Sequence, residues 1–178
     1  GDGKMAIALL DVDEFKGIND TLGHAAGDRL LAEVGSRLSR LMHSGDLAAR
    51  LGGDEFVLLL QGATASRVGD VAELVLRELR RPYDLCGVEV LVTFSMGVTT
   101  LDPETYSVTD LLHQADLALY SVKSQGRDGW KLFTREMLND ETARRESETE
   151  LRLALANEGI VAHYQPVLSM TRGQIIGF

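Results

Sequence analysis

Residues 50–56 read RLGGDEF, so Asp54 and Glu55 follow the glycine pair Gly52–Gly53 between apolar stretches. A glycine pair flanked by apolar runs signals a hairpin, because the favoured turns need φ > 0 at a central position. On that pattern alone the two acids are solvated turn residues. A second acidic pair changes the weighting. Asp11 and Asp13 close the apolar run MAIALLDV, and the two-residue period of a strand puts them on one face. A carboxylate directly behind IALL needs a charged partner, since isolated charge beside buried surface is costly. A hairpin carrying Asp54 beside that strand end would assemble the oxygen donors that hard divalent cations such as Mg²⁺ take, with water and phosphate oxygens completing the shell. Ions held this way can clamp attacking and leaving oxygens in phosphoryl or nucleotidyl transfer. Asp13 reads equally well as a turn or cap aspartate and stays open here.

The elements that must position these acids follow from periodicity. Residues 5–12 read as a buried strand, followed by DEFKGINDTLGHAAGD as a polar, glycine-punctuated connection. Leu30, Leu31, Val34, Leu38 and Leu41 recur at helical spacing over 28–42, with Asp28 placed to cap the start. Strands are expected at about 46–50 and 55–60, and a helix over 66–80 is stopped by Pro82. Strands near 83–86 and 88–99 flank Gly87, a third helix spans 108–125 with Gly126 as its C-cap, and GWKLF is a last short strand. The order predicts an α+β fold: an antiparallel central sheet with flanking helices, built on a ferredoxin-like β-α-β-β-α-β core. Beyond residue 134 the composition turns charge-rich, which predicts an exposed linker helix over 135–157. Residues 158–178 return to strand character but are too few to bury a core of their own.

Composition limits the function classes. The 178 residues carry 18 basic and 27 acidic side chains, for a net charge of −9. That argues against a nucleic-acid surface, which needs clustered Lys and Arg. It leaves room for a small anion held by a few cations. Cys86 is the only cysteine, which fits a reducing cytoplasm. No apolar run approaches the ~20 residues of a membrane span, and no signal peptide opens the chain. Any membrane contact is therefore expected only through parts of a parent protein outside this chain, whose first residues head straight into a strand.

Four stretches, LLDVDEFKGINDTLGHAAGD, ARLGGDEF, SMGV and ADLALYSVKSQGRDGW, resemble in order and spacing the signature segments of GGDEF domains, the diguanylate cyclases. The tail ELRLALANEGIVAHYQPVLSMTRGQIIGF resembles the opening of an EAL domain, the cyclic di-GMP phosphodiesterase family. The resemblance implies a nucleotide-cyclase, palm-like fold and a division into a GGDEF domain over 1–134, a linker helix over 135–157 and an EAL stub over 158–178. It further implies condensation of two GTP into cyclic di-GMP and pyrophosphate across a homodimer, with two Mg²⁺ (or Mn²⁺) per active site.

Carried over residue by residue, the resemblance makes Asp11, Asp54 and the carbonyl of Val12 the metal ligands. Asp54 would also assist deprotonation of the 3′-hydroxyl, and Glu55 would support the second metal. Asn19 and Asp28 would read guanine, where an unpaired buried acceptor would penalise adenine. Phe15 and Lys16 would line the phosphate pocket with the loop's backbone amides, and Lys123 and Arg127, one helical turn apart on one face, would grip the terminal phosphates. On local pattern alone Asn19 is a turn residue, Asp28 a helix cap, Phe15 a core residue and the Lys123–Arg127 pair a solvated helix face. His24 reads as structural, and Cys86 and Trp130 as packing residues.

Two departures from the family pattern matter. The product-inhibition site usual five residues ahead of the signature reads HSGD, with Asp46 kept and His43 in place of arginine. Histidine lacks the planar fork that grips phosphate, so product inhibition should be weak or absent. Asp128 stands where asparagine is usual and sets a negative charge beside Arg127. The alternative function is a catalytically silent GTP-binding module that regulates an attached cyclic di-GMP phosphodiesterase.

Overall fold

The structure is a computed structural model, which describes residues 5–101, 107–156, 161, 163–171 and 173–177. Contacts divide the chain into a unit of Gly1–Leu138 and a unit of Asn139–Phe178.

The first unit is built on a five-stranded sheet of order β2-β3-β1-β6-β7. The strands are β1 (Met5–Val12), β2 (Leu47–Gly52), β3 (Glu55–Gln61), β6 (Phe94–Thr100) and β7 (Gly129–Leu132). A separate hairpin pairs β4 (Tyr83–Leu85) with β5 (Val88–Val90). The helices are α1 (Phe15–Leu22), α2 (His24–Leu41), α3 (Ala65–Leu79) and α4 (Val108–Ser124). The α+β class is as expected. The sheet is mixed, however: β7 runs parallel to β6 at one edge, and the other pairings are antiparallel.

Helices cover both faces of the sheet. Ala6, Ala8, Leu10 and Val12 share one buried cluster with Leu30, Val34 and Leu38 of α2 and Val68, Val75 and Leu76 of α3. The alternate residues of β1, Ile7, Leu9 and Asp11, belong to the opposite face. There α4 lies directly on the sheet: a Cβ on Gly97 would sit 2.1 Å from the carbonyl oxygen of Ala115 and 2.2 Å from the amide nitrogen of Leu119. The glycine of SMGV therefore sets the distance between α4 and the strand end that carries Asp11.

Several local expectations are corrected. The segment after β1 is helical, not a connection. Polar residues and Gly17 mask the periodicity of α1, whose apolar residues Phe15, Ile18 and Leu22 pack on the core only partly. The next helix begins at His24 after Gly23, so Asp28 is an interior, exposed residue and not its cap. The expected strand over 88–99 is two strands in different sheets, because β5 turns back on β4 and residues 91–93 carry the chain to β6. Cys86 is exposed at φ 59° in the β4–β5 turn and is not a packing residue. Trp130 does pack against the core, over Gly69, and its Nε1 donates to Glu73 Oε1 at 2.7 Å. His24 is exposed.

Helix α5 (Arg135–Ala156) is a charge-rich helix, as the composition predicts, and carries almost no buried surface. In the second unit β8 (Val167–Ser169) pairs antiparallel with β9 (Gln174–Gly177).

Candidate active site

The carboxylates converge where β1 ends. β3 lies beside β1, with Asp11 in register opposite Glu55, and the Val12 amide donates to the Asp54 carbonyl at 3.4 Å. Pairing of Gly52 with Glu55 leaves Gly53 and Asp54 as the two turn residues, one position later than the glycine pair suggests. Gly53 has φ 53°, the left-handed geometry a two-residue turn of this kind needs at its first central position. The Arg50 guanidinium holds the turn by donating to the Gly53 carbonyl at 2.6 and 2.9 Å. Asp54 is half-buried, Glu55 is exposed, and nothing lies within 4 Å of a Cβ built on Gly52 or Gly53. The face of the turn is open to a bulky anion.

Asp11 is 7 % exposed, and its Oδ2 lies 2.7 Å from Lys123 Nζ of α4. Burial pushes its carboxyl above the ordinary value of 3.8; the Lys123 ammonium opposes that rise, and the charges of Asp54 and Asp13 add to it. One ammonium thus offsets a crowded set of acids. The donors suit a hard divalent cation: carboxylate oxygens at a strand end, a second carboxylate on an open turn, and a lysine already standing where positive charge is needed.

Asp13, left open by the sequence, is committed to internal hydrogen bonds. It is 5 % exposed, and its Oδ1 accepts from Ser95 Oγ at 2.7 Å. Its Oδ2 accepts from Thr93 Oγ1 at 2.9 Å and from the Asp128 amide at 3.2 Å. This aspartate ties β1 to β6 and to the turn after α4.

Phe15 and Lys16 open α1 and do not sit on a loop. The residue before them, Glu14, has φ 56° and offers no side-chain cap; its carbonyl accepts from the Gly17 amide at 2.8 Å, and its side chain caps neither the Phe15 nor the Lys16 amide. A helix N-terminus without a side-chain cap, with its positive dipole end, is suited to phosphate. Phe15 is half-buried against the core and Lys16 is exposed.

Asp13, Glu14 and Gly17 line an open cavity of about 750 Å³ together with Gly126, Arg127 and Asp128. Arg127 therefore faces the start of α1, but not by helical spacing from Lys123. Helix α4 ends at Ser124, and Arg127 sits in a left-handed turn with φ 65°.

Asn19 is half-buried on α1, and its Oδ1 is buried with no hydrogen-bond partner among the described residues. That oxygen rests over Gly27 of α2, where a Cβ would come within 2.0 Å of it. Asp28, the next residue, is exposed on the same helix. An amide oriented by packing alone and an exposed carboxylate without a capping duty suit a ligand with several N–H donors.

Asp46 is not available as a binding group. Its side chain is 2 % exposed and pairs with Arg67 of α3 at 2.9 Å. It also accepts from the Gln61 amide at 2.9 Å and, weakly, from the His43 amide at 3.4 Å. His43 itself is exposed, with Nδ1 3.9 Å from Asp46 Oδ2. Arg67, Arg80, Thr93 and Ser95 escaped sequence reasoning. Each acts on a residue 21 to 82 positions away, and no local pattern marks such a pair.

The family profile described as "Diguanylate cyclase, GGDEF domain" matches residues 2–129. The chain is 35% identical over 176 residues to the bifunctional diguanylate cyclase/cyclic di-GMP phosphodiesterase MucR of Pseudomonas aeruginosa, covering 99% of this chain and 26% of that protein. It is 34% identical over 171 residues to the cyclic di-GMP phosphodiesterase NbdA of the same organism, covering 96% of this chain and 22% of the relative. It thus spans about a quarter of the length of these relatives. Among solved structures, a GGDEF domain of TpbB (YfiN) from P. aeruginosa superposes with a TM-score of 0.75 at 33% identity, covering 79% of this chain and 83% of that one. The GGDEF domain of DgcB from Caulobacter crescentus, solved with cyclic di-GMP, gives 0.67 at 32% identity, covering 74% and 77%. The fold and the site define a GGDEF domain, and this chain belongs to that family of diguanylate cyclases.

Proposed function

We propose that this GGDEF domain joins two GTP into cyclic di-GMP and pyrophosphate. The observation that carries the reading is the Asp11 carboxylate at the end of β1, its pKa raised chiefly by burial, offset by Lys123 at 2.7 Å and set beside the Asp54 turn. A buried carboxylate perturbed in this way, with one specific charge partner, marks a functional-site candidate.

Asp11, the Val12 carbonyl and Asp54, supported by Glu55, fit two divalent ions, Mg²⁺ or Mn²⁺, which when bound would neutralise phosphate charge and make the 3′-hydroxyl more acidic. The amides at the start of α1, with Lys16 beside them, bind phosphate oxygens. Lys123 leaves Asp11 for the terminal phosphates, and Arg127 reaches the same anion from its turn. Phe15 supports the helix start from the core. Asp28 accepts from the guanine N1–H and amine, with Asn19 beside it. An Asp54 carboxylate oxygen takes the proton of the 3′-hydroxyl as the 3′ oxygen attacks the α-phosphorus of the other GTP, the α–β phosphoanhydride bond breaks and pyrophosphate leaves, once for each of the two bonds formed. One domain holds one GTP, so the reaction requires a homodimer with the two sites facing. We read the domain as cytoplasmic because GTP is supplied there.

We further read 135–157 as a linker helix and 158–178 as the start of an EAL domain in a tandem protein. A second reading has support of its own: relatives named only as phosphodiesterases, NbdA and PdeR, match nearly the whole chain. In that case the domain binds GTP and controls the hydrolase without turnover. Incubating the full-length protein with GTP and Mg²⁺ beside an Asp54→Ala control separates the two. Cyclic di-GMP or its linear product, lost in the control, supports the cyclase. Intact GTP that calorimetry shows to be bound supports the regulatory module.

A further inference from the structure

The turn that presents Arg127 is strained. Gly126, Arg127 and Asp128 have φ of 114°, 65° and 52° in succession. Side chains avoid the left-handed region because Cβ crowds the following carbonyl, and such residues persist only where their surroundings hold them. The Arg127 amide donates to the Val122 carbonyl at 3.1 Å, and the Asp128 amide donates to buried Asp13. The third restraint comes from Arg80 at the C-cap of α3. Its Nε donates to Asp128 Oδ1 at 2.7 Å and its guanidinium also donates to the Asp128 carbonyl at 3.0 Å. One planar fork therefore grips the side chain and the backbone of a single residue, a geometry lysine cannot copy.

The grip has a second consequence. Asp128 follows Arg127 directly, and a loose carboxylate there would compete with phosphate for the Arg127 guanidinium. Arg80 holds that carboxylate instead. Among the described residues the Arg127 side chain has no hydrogen-bond or ion-pair partner, and it lines the cavity at the start of α1.

We propose that Arg80 is a positioning residue for GTP: through Asp128 it fixes the turn and keeps Arg127 free for phosphate. The proposal rests on the reading of Arg127 as a phosphate ligand. Both members of the pair are partly solvated, 39% and 42% exposed, so it adds little to stability and its removal leaves the fold intact.

The test measures the Kd of 3′-deoxy-GTP, which lacks the attacking hydroxyl, with Mg²⁺ by calorimetry on the full-length protein. Arg80→Ala should weaken binding about tenfold, as loss of part of one charged phosphate contact does, and Arg80→Lys should behave similarly. Adding Asp128→Asn to Arg80→Ala should recover part of the loss, because it removes the competing charge. A purely structural role would give no such rescue. Unchanged binding in Arg80→Ala, or further weakening by Asp128→Asn, overturns the proposal while Arg127→Ala still weakens binding. If Arg127→Ala itself binds like wild type, the phosphate reading of the turn fails first, and the clamp with it.

Discussion

Gly27→Ala should improve or preserve stability while damaging GTP binding. Alanine in a helix interior is favoured over glycine by about 1 kcal/mol. At this position the new Cβ would lie 2.0 Å from Asn19 Oδ1, 3.0 Å from its Cγ and 3.1 Å from Phe15 Cζ. Ordinary carbon contacts lie at about 3.5 Å or more, so the Asn19 amide must swing away and Phe15 must yield by a few tenths of an ångström. The Oδ1 forfeits no hydrogen bond by leaving, because it has no partner among the described residues. Exposing that acceptor to water recovers about 1–3 kcal/mol of desolvation, against about 1 kcal/mol for rotamer strain. The balance for folding is neutral to favourable. For binding, losing the guanine contact proposed for Asn19 should cost about 2 kcal/mol, a rise in Kd of roughly 30-fold. Denaturant melts and calorimetric titration with 3′-deoxy-GTP report the two effects separately. Asn19→Ala should weaken binding as much, and the double variant no more than either, since both act on one contact. A variant that unfolds more easily yet binds GTP normally would refute the reasoning.

The same substitution at Gly97 should have the opposite effect. Its Cβ would meet backbone atoms of α4, which cannot rotate aside, so Gly97→Ala should lower stability by about 3 kcal/mol or more in denaturant melts. Asp11→Asn should raise the melting temperature of the metal-free protein at pH 7. The folded-state carboxyl titrates above 3.8, so the stability it contributes is present below that value and is lost as pH rises through its raised value, whereas asparagine does not titrate. A lower melting temperature than wild type in chelator at pH 7 would contradict this, and Mg²⁺ should stabilise wild type more than the variant. Arg37 donates to the carbonyls of Glu78, Arg81 and Pro82 and stacks over Tyr83 at 3.8 Å, so Arg37→Ala should cost about 2 kcal/mol in the same melts and leave GTP affinity unchanged. Cyclic di-GMP should inhibit weakly or not at all, because Arg67 occupies Asp46; inhibition by product at concentrations below the KM for GTP would contradict this.

Local pattern was enough for most of the frame. A short continuous apolar run marked β1, the run behind the glycine turn marked β3 and charge density marked α5, while helical spacing marked α2, α3 and α4 because burial on one face imprints a period on the chain. It misled where the periodic face is small or the punctuation ambiguous. α1 buries no residue fully, and Asp28 resembles a cap although the helix starts earlier, at His24. The type and order of the site residues were also legible, since Asp11 behind IALL and Asp54 on a glycine turn are local facts. What each acid does was not. Asp11 and Asp13 are two residues apart and of one type, yet the buried Asp11 pairs with a single cation, Lys123, while Asp13 is consumed by Ser95, Thr93 and the Asp128 amide. Asp46 and Asp128 look like free charges in sequence and are held by Arg67 of α3 and by Arg80 at its C-cap. Whether a carboxylate is available depends on which distant donors reach it. That is set by how the helices cross the sheet, so only the tertiary structure decides it.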